Sequence, residues 1–430
     1  MTLIYDLVFL LFAVCYLPVF IFKRKMHKGF AQRLGFLSGV PDLGRPIWVH
    51  AVSVGEAMSV KHLIEELRIK FPQKDFVIST VTPTGNKIAR SIAGKSDAVI
   101  YLPLDLSWIV RAVVNKINPS LFVIVETEIW PNLICRLNKN KVPIAVVNAR
   151  ISDRSFKGYL MIRPALKPVL NKVGIFCVQT ALDSQRLARL GVEAGKIKNT
   201  GNMKFDIKVR DYDQLKKDYS DYRGRLGLGT KEKLWVCAST HPGEEEDILR
   251  VYLNLSREHP ELKLLIAPRH PERSPSIANL VNACPGFCAA MISRLAGRDP
   301  GLRECSGRRP VFILDTIGQL MYFYALCDIV FVGGSLVKKG GHNILEPASL
   351  GKPVVFGKYM FNFRDIADLF VKNRAGIMVE DRDGLEKSLK DLLGDNSRIR
   401  ELGQACREVI FKNKGATSAN AGLIRELLKS

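Results

Sequence analysis

The run Trp48-Val-His-Ala-Val-Ser-Val-Gly-Glu56-Ala-Met58 begins as an apolar strand and breaks at small residues. It then passes into Ser59-Val-Lys-His-Leu-Ile-Glu-Glu-Leu-Arg68, whose apolar residues recur at helical spacing. Strand, tight turn and helix open a parallel α/β sheet, a fold in which ligands sit at the carboxyl ends of the strands. Glu56 falls at or just inside the helix start, where the helix dipole favours an ionised carboxylate. Such a group can accept a proton from a substrate hydroxyl. The spacing also fits a capping box, with Ser53 as the cap and Glu56 as its partner.

The same alternation continues outward. Apolar strands are expected at Ile47-Trp-Val49, Phe76 to Val81, Ala98 to Tyr101, Leu121 to Val125, Ile144 to Val147 and Ile175 to Val178. Helical patterns fill most gaps, so the sheet is parallel and covered on both faces. Thr200-Gly-Asn-Met-Lys-Phe-Asp206 closes this half, and residues 207–230 are charged and glycine-bearing, a linker. The pattern restarts with strands at Leu234 to Cys237, Leu262 to Ala267, Val311 to Leu314, Ile329 to Val332 and Val354 to Phe356. The expected domains are therefore 26–206 and 231–412. A helical 413–430 has the length to cross back onto the first. Two βα sheets joined by a linker place a cleft between their strand ends.

At 430 residues two domains are the prior, and the formal net charge of +22 calls for an anionic partner. Leu7 to Phe22 is free of charge and is followed at once by Lys23-Arg24-Lys25. Residues 1–25 thus read as a short membrane anchor, with the basic cluster holding the body of the protein on the cytoplasmic side. That reading accounts for part of the charge and places nucleic acid second. The nine dispersed cysteines read as reduced thiols.

Several strand ends carry chemistry. Glu126-Thr-Glu128 follows one apolar strand, and Lys204 stands at the domain junction. Pro268-Arg-His-Pro-Glu-Arg273 follows another strand, where Arg269 offers bidentate recognition of phosphate or carboxylate and Arg273 adds to it. Gly333-Gly-Ser-Leu-Val-Lys-Lys-Gly-Gly341-His-Asn-Ile-Leu-Glu-Pro347 lets backbone amides approach an anion, with Glu346 placed to accept from ribose hydroxyls. No complete P-loop, dinucleotide fingerprint, His-Glu-x-x-His or Asp-x-Asp is present. Fixed donors rather than a metal are expected to serve the site.

Taken in order, these motifs resemble the 3-deoxy-D-manno-octulosonic acid (Kdo) transferase family of lipopolysaccharide synthesis. The run comprises Ser53-Val-Gly-Glu56, Thr82-Pro-Thr-Gly85, Glu126-Thr-Glu-Ile-Trp-Pro-Asn132, Asn148-Ala-Arg150, Lys204-Phe-Asp206, Pro268 to Arg273 and Gly340-Gly-His-Asn343. The resemblance implies a GT-B fold, two Rossmann-like domains facing an interdomain cleft behind an N-terminal membrane-anchor helix. It implies a CMP-Kdo donor and a lipid A precursor (lipid IVA) as acceptor, at the cytoplasmic side of the cell inner membrane. No cofactor, no metal and no nucleic acid are implied. Carried over, the catalytic base is Glu56, and Glu126 and Lys204 stabilise the transition state. The CMP contacts are Pro268 and Arg269, then Ile317, Gly318 and Gln319, then Asn343, Ile344, Leu345 and Glu346. Some members have Glu where this chain has Gln319. Two rivals remain on the residues alone: a GT-B enzyme using a UDP-sugar, and a basic membrane module that binds anionic lipid or RNA without catalysis.

Overall fold

Leu121-Phe-Val-Ile-Val125 shows why the strands form continuous apolar runs. Phe122 and Ile124 pack into one core with Leu133, Leu137 and Leu166. Leu121, Val123 and Val125 point the other way, into a second core with Leu63, Ile64, Leu67 and Ile424. A strand buried on both faces favours apolar side chains at every position. Each apolar side chain so buried contributes about 1.5–3 kcal/mol.

The computed structural model describes residues 4–11, 29–52, 54–207, 220–295 and 305–429, without the side chains of 54–59, 220 and 221. The chain divides into two compact units, Met1–Asp206 with Asn413–Ser430, and Ile207–Lys412. In the first, the strands are β1 (Ile47–His50), β2 (Phe76–Thr80), β3 (Ala98–Tyr101), β4 (Leu121–Val125), β5 (Ile144–Ala149), β6 (Ile175–Val178) and β7 (Ile197–Asn199). They lie in the order β3-β2-β1-β4-β5-β6-β7. Every pairing is parallel.

The second unit repeats the plan with β8 (Lys233–Thr240), β9 (Leu262–Pro268), β10 (Phe287–Met291), β11 (Arg309–Ile313), β12 (Ile329–Val332), β13 (Val354–Gly357) and β14 (Ile377–Val379). Their order is β10-β11-β9-β8-β12-β13-β14, again all parallel. The helix Glu244–Glu258 covers one face through Ile248, Leu249, Tyr252 and Leu255. Three edge or near-edge strands, β7, β10 and β14, are absent from the sequence reading. β7 and β14 have three residues each, and β10, Phe-Cys-Ala-Ala-Met, lacks the β-branched residues that mark the central strands.

The cysteines depart from expectation. Cys288 in β10 is bonded to Cys305, 17 residues on, because the return from β10 to β11 sets the two side by side. Among the described residues, the other six cysteines are free.

Most of the expected anchor, and the basic cluster behind it, lies at 12–28, outside the described residues. Among the described residues, no helix is long and apolar enough to cross a membrane. Residues 4–11 are helical, with Ile4, Leu7, Val8 and Leu11 exposed. Asp6, which ends the apolar run in the sequence, is buried, and accepts from the Ser107 amide at 3.1 Å and Asn132 Nδ2 at 2.7 Å. Asp105 beneath it accepts from the amides of Asn132 and Leu133, yet burial pushes its carboxyl up to about 6. This polar knot ties the first helix to the start of the helix Pro131–Lys139.

The helix Ala416–Lys429 belongs to the first unit and packs against Val54–Lys70. Asp206 receives its first turn, accepting from the amides of Gly415 and Thr417, each at 2.6 Å. Replacing a carboxylate that caps a helix leaves those amides without an acceptor. Asp206→Ala is expected to destabilise the first unit by about 1–2 kcal/mol, read as a shifted urea midpoint and earlier proteolysis of the last helix.

Candidate active site

In the first sheet the chain direction of winding reverses between β1 and β4, and a crevice opens at the carboxyl ends of strands at such a point. Its two flanks are the turn after β1, which enters the helix Val54–Lys70, and the loop after β4. Glu56 lies in the first turn of that helix; Ser53 and the Glu56 side chain are outside the described residues. Glu126 follows β4 with a left-handed backbone, φ 59°. Its Oε1 stands 3.6 Å from Lys204 Nζ, so two of the residues singled out in the sequence meet.

A chain of amides brings Lys204 there. Lys204 sits in the turn Met203–Phe205, whose cap Asn202 accepts from the Lys204 amide at 2.9 Å. Asn148, at the end of β5 with φ 53°, accepts from the Met203 amide at 3.0 Å. Gln179 joins the two, donating to the Asn148 carbonyl and accepting from Asn202 Nδ2. Asn tolerates the left-handed conformation that Asn148 must adopt. The Asn148-Ala-Arg150 motif is thus in part a support for the lysine.

Under the crevice lies His50, fully buried, with Nδ1 at 3.1 Å from the Ser79 carbonyl and its ring 6.4 Å from that of Trp130. Burial lowers its pKa to about 4, an effect the Ser79 carbonyl partly opposes and Arg33 reinforces. Thr82 caps the helix Pro83–Ile92, accepting from the Gly85 amide at 3.1 Å, which gives Thr82-Pro-Thr-Gly85 a structural role.

The second sheet reverses between β8 and β12. Pro268 ends β9, and the Arg269 side chain that follows is exposed. Ile317, 88% exposed, and Gly318, φ 88°, are in the loop after β11. Gln319 spends its carbonyl locally, accepting from Thr316 Oγ1 at 2.7 Å. Asn343 accepts from the Leu345 amide at 3.0 Å and donates to Glu346 Oε1 at 3.1 Å, while Ile344 and Leu345 are buried. Burial raises the Glu346 carboxyl, with the Asn343 bond in partial opposition. Because the strands are parallel, all these loops leave one edge of the sheet.

Two readings change here. The amides of Gly334, Ser335 and Leu336 do not face outward to an anion; they donate to Glu244 at 2.7, 3.0 and 3.0 Å. The His241 amide joins them at 2.9 Å, so one buried carboxylate gathers four donors. The approach demands glycine: a Cβ on Gly333 would lie 2.7 Å from the Ser239 carbonyl oxygen. Arg273 is also engaged, with Nη1 and Nη2 at 2.8 and 3.1 Å from the two oxygens of buried Glu245, so its guanidinium is held by a carboxylate and does not stand beside Arg269 as a second open cation. Glu244 and Glu245 were legible only as helix-start acids. Beyond the nearby His241 amide and Thr240 hydroxyl, their partners are some 90 and 28 residues away.

Among the described residues, no group of three or more His, Cys, Asp or Glu is arranged to hold a metal.

Two units of parallel sheet with their loops at the switch points make a Rossmann-like α/β fold resembling that of GT-B glycosyltransferases. The fold alone does not choose the reaction, since a UDP-GlcNAc 2-epimerase of Neisseria meningitidis shares it. That structure matches with a TM-score of 0.58 at 14% identity, over 90% of this chain and 100% of that one. Residues 28–207 match the family described as 3-Deoxy-D-manno-octulosonic-acid transferase (kdotransferase). Over 422 residues the chain is 34% identical to the 3-deoxy-D-manno-octulosonic acid transferase of Haemophilus influenzae, covering 97% of this chain and 95% of that one. It is 36% identical over 367 residues to a bifunctional glycosyltransferase/methyltransferase of Fusobacterium nucleatum, spanning 84% of this chain and 55% of that longer protein. The chain belongs to the Kdo transferase family, glycosyltransferases of lipopolysaccharide synthesis.

Two outcomes are expected from the supports. Glu244→Ala strips four amides of their acceptor and should destabilise the second unit by about 3 kcal/mol or more, measured by urea unfolding. His50 stays neutral in the fold to about pH 4, whereas in the unfolded chain it takes a proton near 6.5. Its contribution is therefore full above pH 6.5 and is lost as pH falls towards 4, reaching about 2 kcal/mol of loss at pH 5. Asp105 acts in the opposite sense, its contribution being present at low pH and lost as pH rises through about 6. Comparing wild type with His50→Gln at pH 7.5 and pH 5 isolates the histidine slope.

Proposed function

We propose that the enzyme transfers Kdo from CMP-Kdo to a lipid A precursor, lipid IVA, in a single inverting displacement that needs no metal. The observation that carries this reading is the cationic edge of the second sheet. Arg269, Lys339 and three histidines, His241, His270 and His342, gather there, and the nearest buried acids are already engaged. An edge of that kind suits a donor bearing a phosphate and a sugar-acid carboxylate. Pro268 and Arg269, Ile317 to Gln319, and Asn343 to Glu346 contact the CMP portion. Gln319 serves through backbone, because its carboxamide oxygen is held by Thr316.

The first unit supplies the proton chemistry. Glu56 takes the proton of the acceptor hydroxyl as its oxygen bonds to the anomeric carbon. The bond from that carbon to the phosphate oxygen breaks, and CMP leaves with the electron pair. Charge at the reacting centre is stabilised by Glu126 and Lys204, whose contact holds both at the crevice. CMP departs with a single phosphate, so fixed cations suffice.

The acceptor is a lipid, and we place the enzyme on the cytoplasmic side of the cell inner membrane. The exposed Ile4, Leu7, Val8 and Leu11 support this, together with the charge-free run to Phe22 and Lys23-Arg24-Lys25 after it.

The test is to incubate the protein with CMP-Kdo and a tetra-acylated lipid A precursor, then weigh the lipid. Its mass should rise by whole Kdo units. Glu56→Gln should slow turnover about 10²–10⁴-fold, the usual contribution of a general base. Near-normal turnover in that variant would remove the base from Glu56, and an unchanged lipid beside intact donor would remove the donor–acceptor assignment.

A further inference from the structure

Three of the seven histidines in the chain stand in loops at the carboxyl edge of the second sheet: His241 after β8, His270 after β9 and His342 after β12. None is among the CMP contacts assigned above. His241 and His342 touch edge to edge, Nε2 to Nε2 at 2.9 Å, their rings within 6° of parallel. A nitrogen–nitrogen contact of that length needs one N–H and one lone pair. The pair is therefore either neutral, with complementary tautomers, or singly protonated. Both rings cannot be cationic while the contact holds.

Its place is built in. The His241 amide and the Gly334 amide share one oxygen of Glu244. Gly334 has φ 67°, and a Cβ there would stand 3.0 Å from His342 Cδ2 and 3.3 Å from His241 Cδ2. Backbone and glycine together hold the rings at the β8/β12 crevice. The charged groups around them come from every neighbouring element: Lys339 from the loop after β12, Arg269, His270 and Arg273 from the segment after β9, and Glu244 and Glu245 from the helix Glu244–Glu258. Glu245 is bound to Arg273 and Glu244 to four amides, so cations dominate what the rings face. Burial and these cations lower both rings, His342 to about 4.

We propose that the His241–His342 pair is an anion-recognition site that takes up one proton when a phosphate or sugar-acid carboxylate of the donor binds beside it. This rests on the reading that the second unit holds the sugar nucleotide. An anion offsets the field of Arg269, Lys339 and His270 and accepts a hydrogen bond from the cationic form, and both effects raise the affinity of the rings for a proton. The site thus adds one positive charge only when the ligand is present. By linkage, donor affinity strengthens as pH falls, by up to about tenfold per pH unit where a whole proton is taken up.

Titration calorimetry of the full chain at pH 7.5, in two buffers of different ionisation enthalpy, reads the proton directly. The probes are CMP, free Kdo and cytidine. Uptake of about 0.5–1 proton per CMP supports the phosphate as the anion; uptake with Kdo but not CMP supports the carboxylate. CMP with its phosphate pKa near 6 can only release protons on binding as the dianion, the opposite sign. Uptake should fall below about 0.1 proton in His342→Gln and in His241→Gln, with the affinity no longer changing between pH 8.5 and 6.5. Binding of CMP and Kdo by wild-type protein with no buffer dependence overturns the proposal while leaving the donor reading in place. Absence of binding by both CMP and Kdo overturns the donor reading and this proposal together.

Discussion

All the chemistry of this chain depends on the parallel strand ladder. When every strand of a sheet runs the same way, every strand end reaches the same edge. Loops far apart in the chain then become neighbours without any contact between them having been selected first. In the first unit this puts the Glu56 turn and Glu126 on the two sides of the β1/β4 crevice. In the second it puts the loops of Arg269, His241 and Asn343 on adjacent central strands. That arrangement buries the sheet on both faces, which is why the central strands are mostly apolar.

Charge compensation divides the polar residues at those edges into two kinds. Glu244, Glu245 and Arg273 are satisfied internally; they hold backbone and each other. Lys204 and Glu126 face one another across a longer, partly exposed contact, and Arg269 is exposed. A buried carboxylate with four amide donors stabilises a loop, but it also removes those amides from ligand binding. The cationic surplus at the second sheet therefore comes from side chains and not from the glycine loop's backbone.

The polar supports explain how motif residues can act at a distance from their own chemistry. Asn148 accepts from the Met203 amide, and without that bond the turn carrying Lys204 loses its seat. Asp6 and Asp105 likewise join the first helix to the loop region after β4. Motifs of this kind mix reactive groups with the residues that aim them, and spacing alone does not separate the two.

From the sequence alone, the fold class followed from Trp48 to Arg68 and the repeat of apolar strands, because burial on both faces leaves a local, unbroken pattern. The family followed from the order of the motifs, the candidate residues Glu126 and Arg269 from their places after strands, and Lys204 from the domain junction and the resemblance. What could not be read were the edge strands β7, β10 and β14, whose pairing is decided by a neighbour on one side more than by their own side chains. Nor could the Glu244 amide cradle, the Glu245–Arg273 bridge, the Cys288–Cys305 bond and the His241–His342 contact be seen. Those are decided by tertiary structure, since each joins residues 17 to 101 positions apart through hydrogen bonds, charge or sulfur chemistry, none of which leaves a periodic trace along the chain.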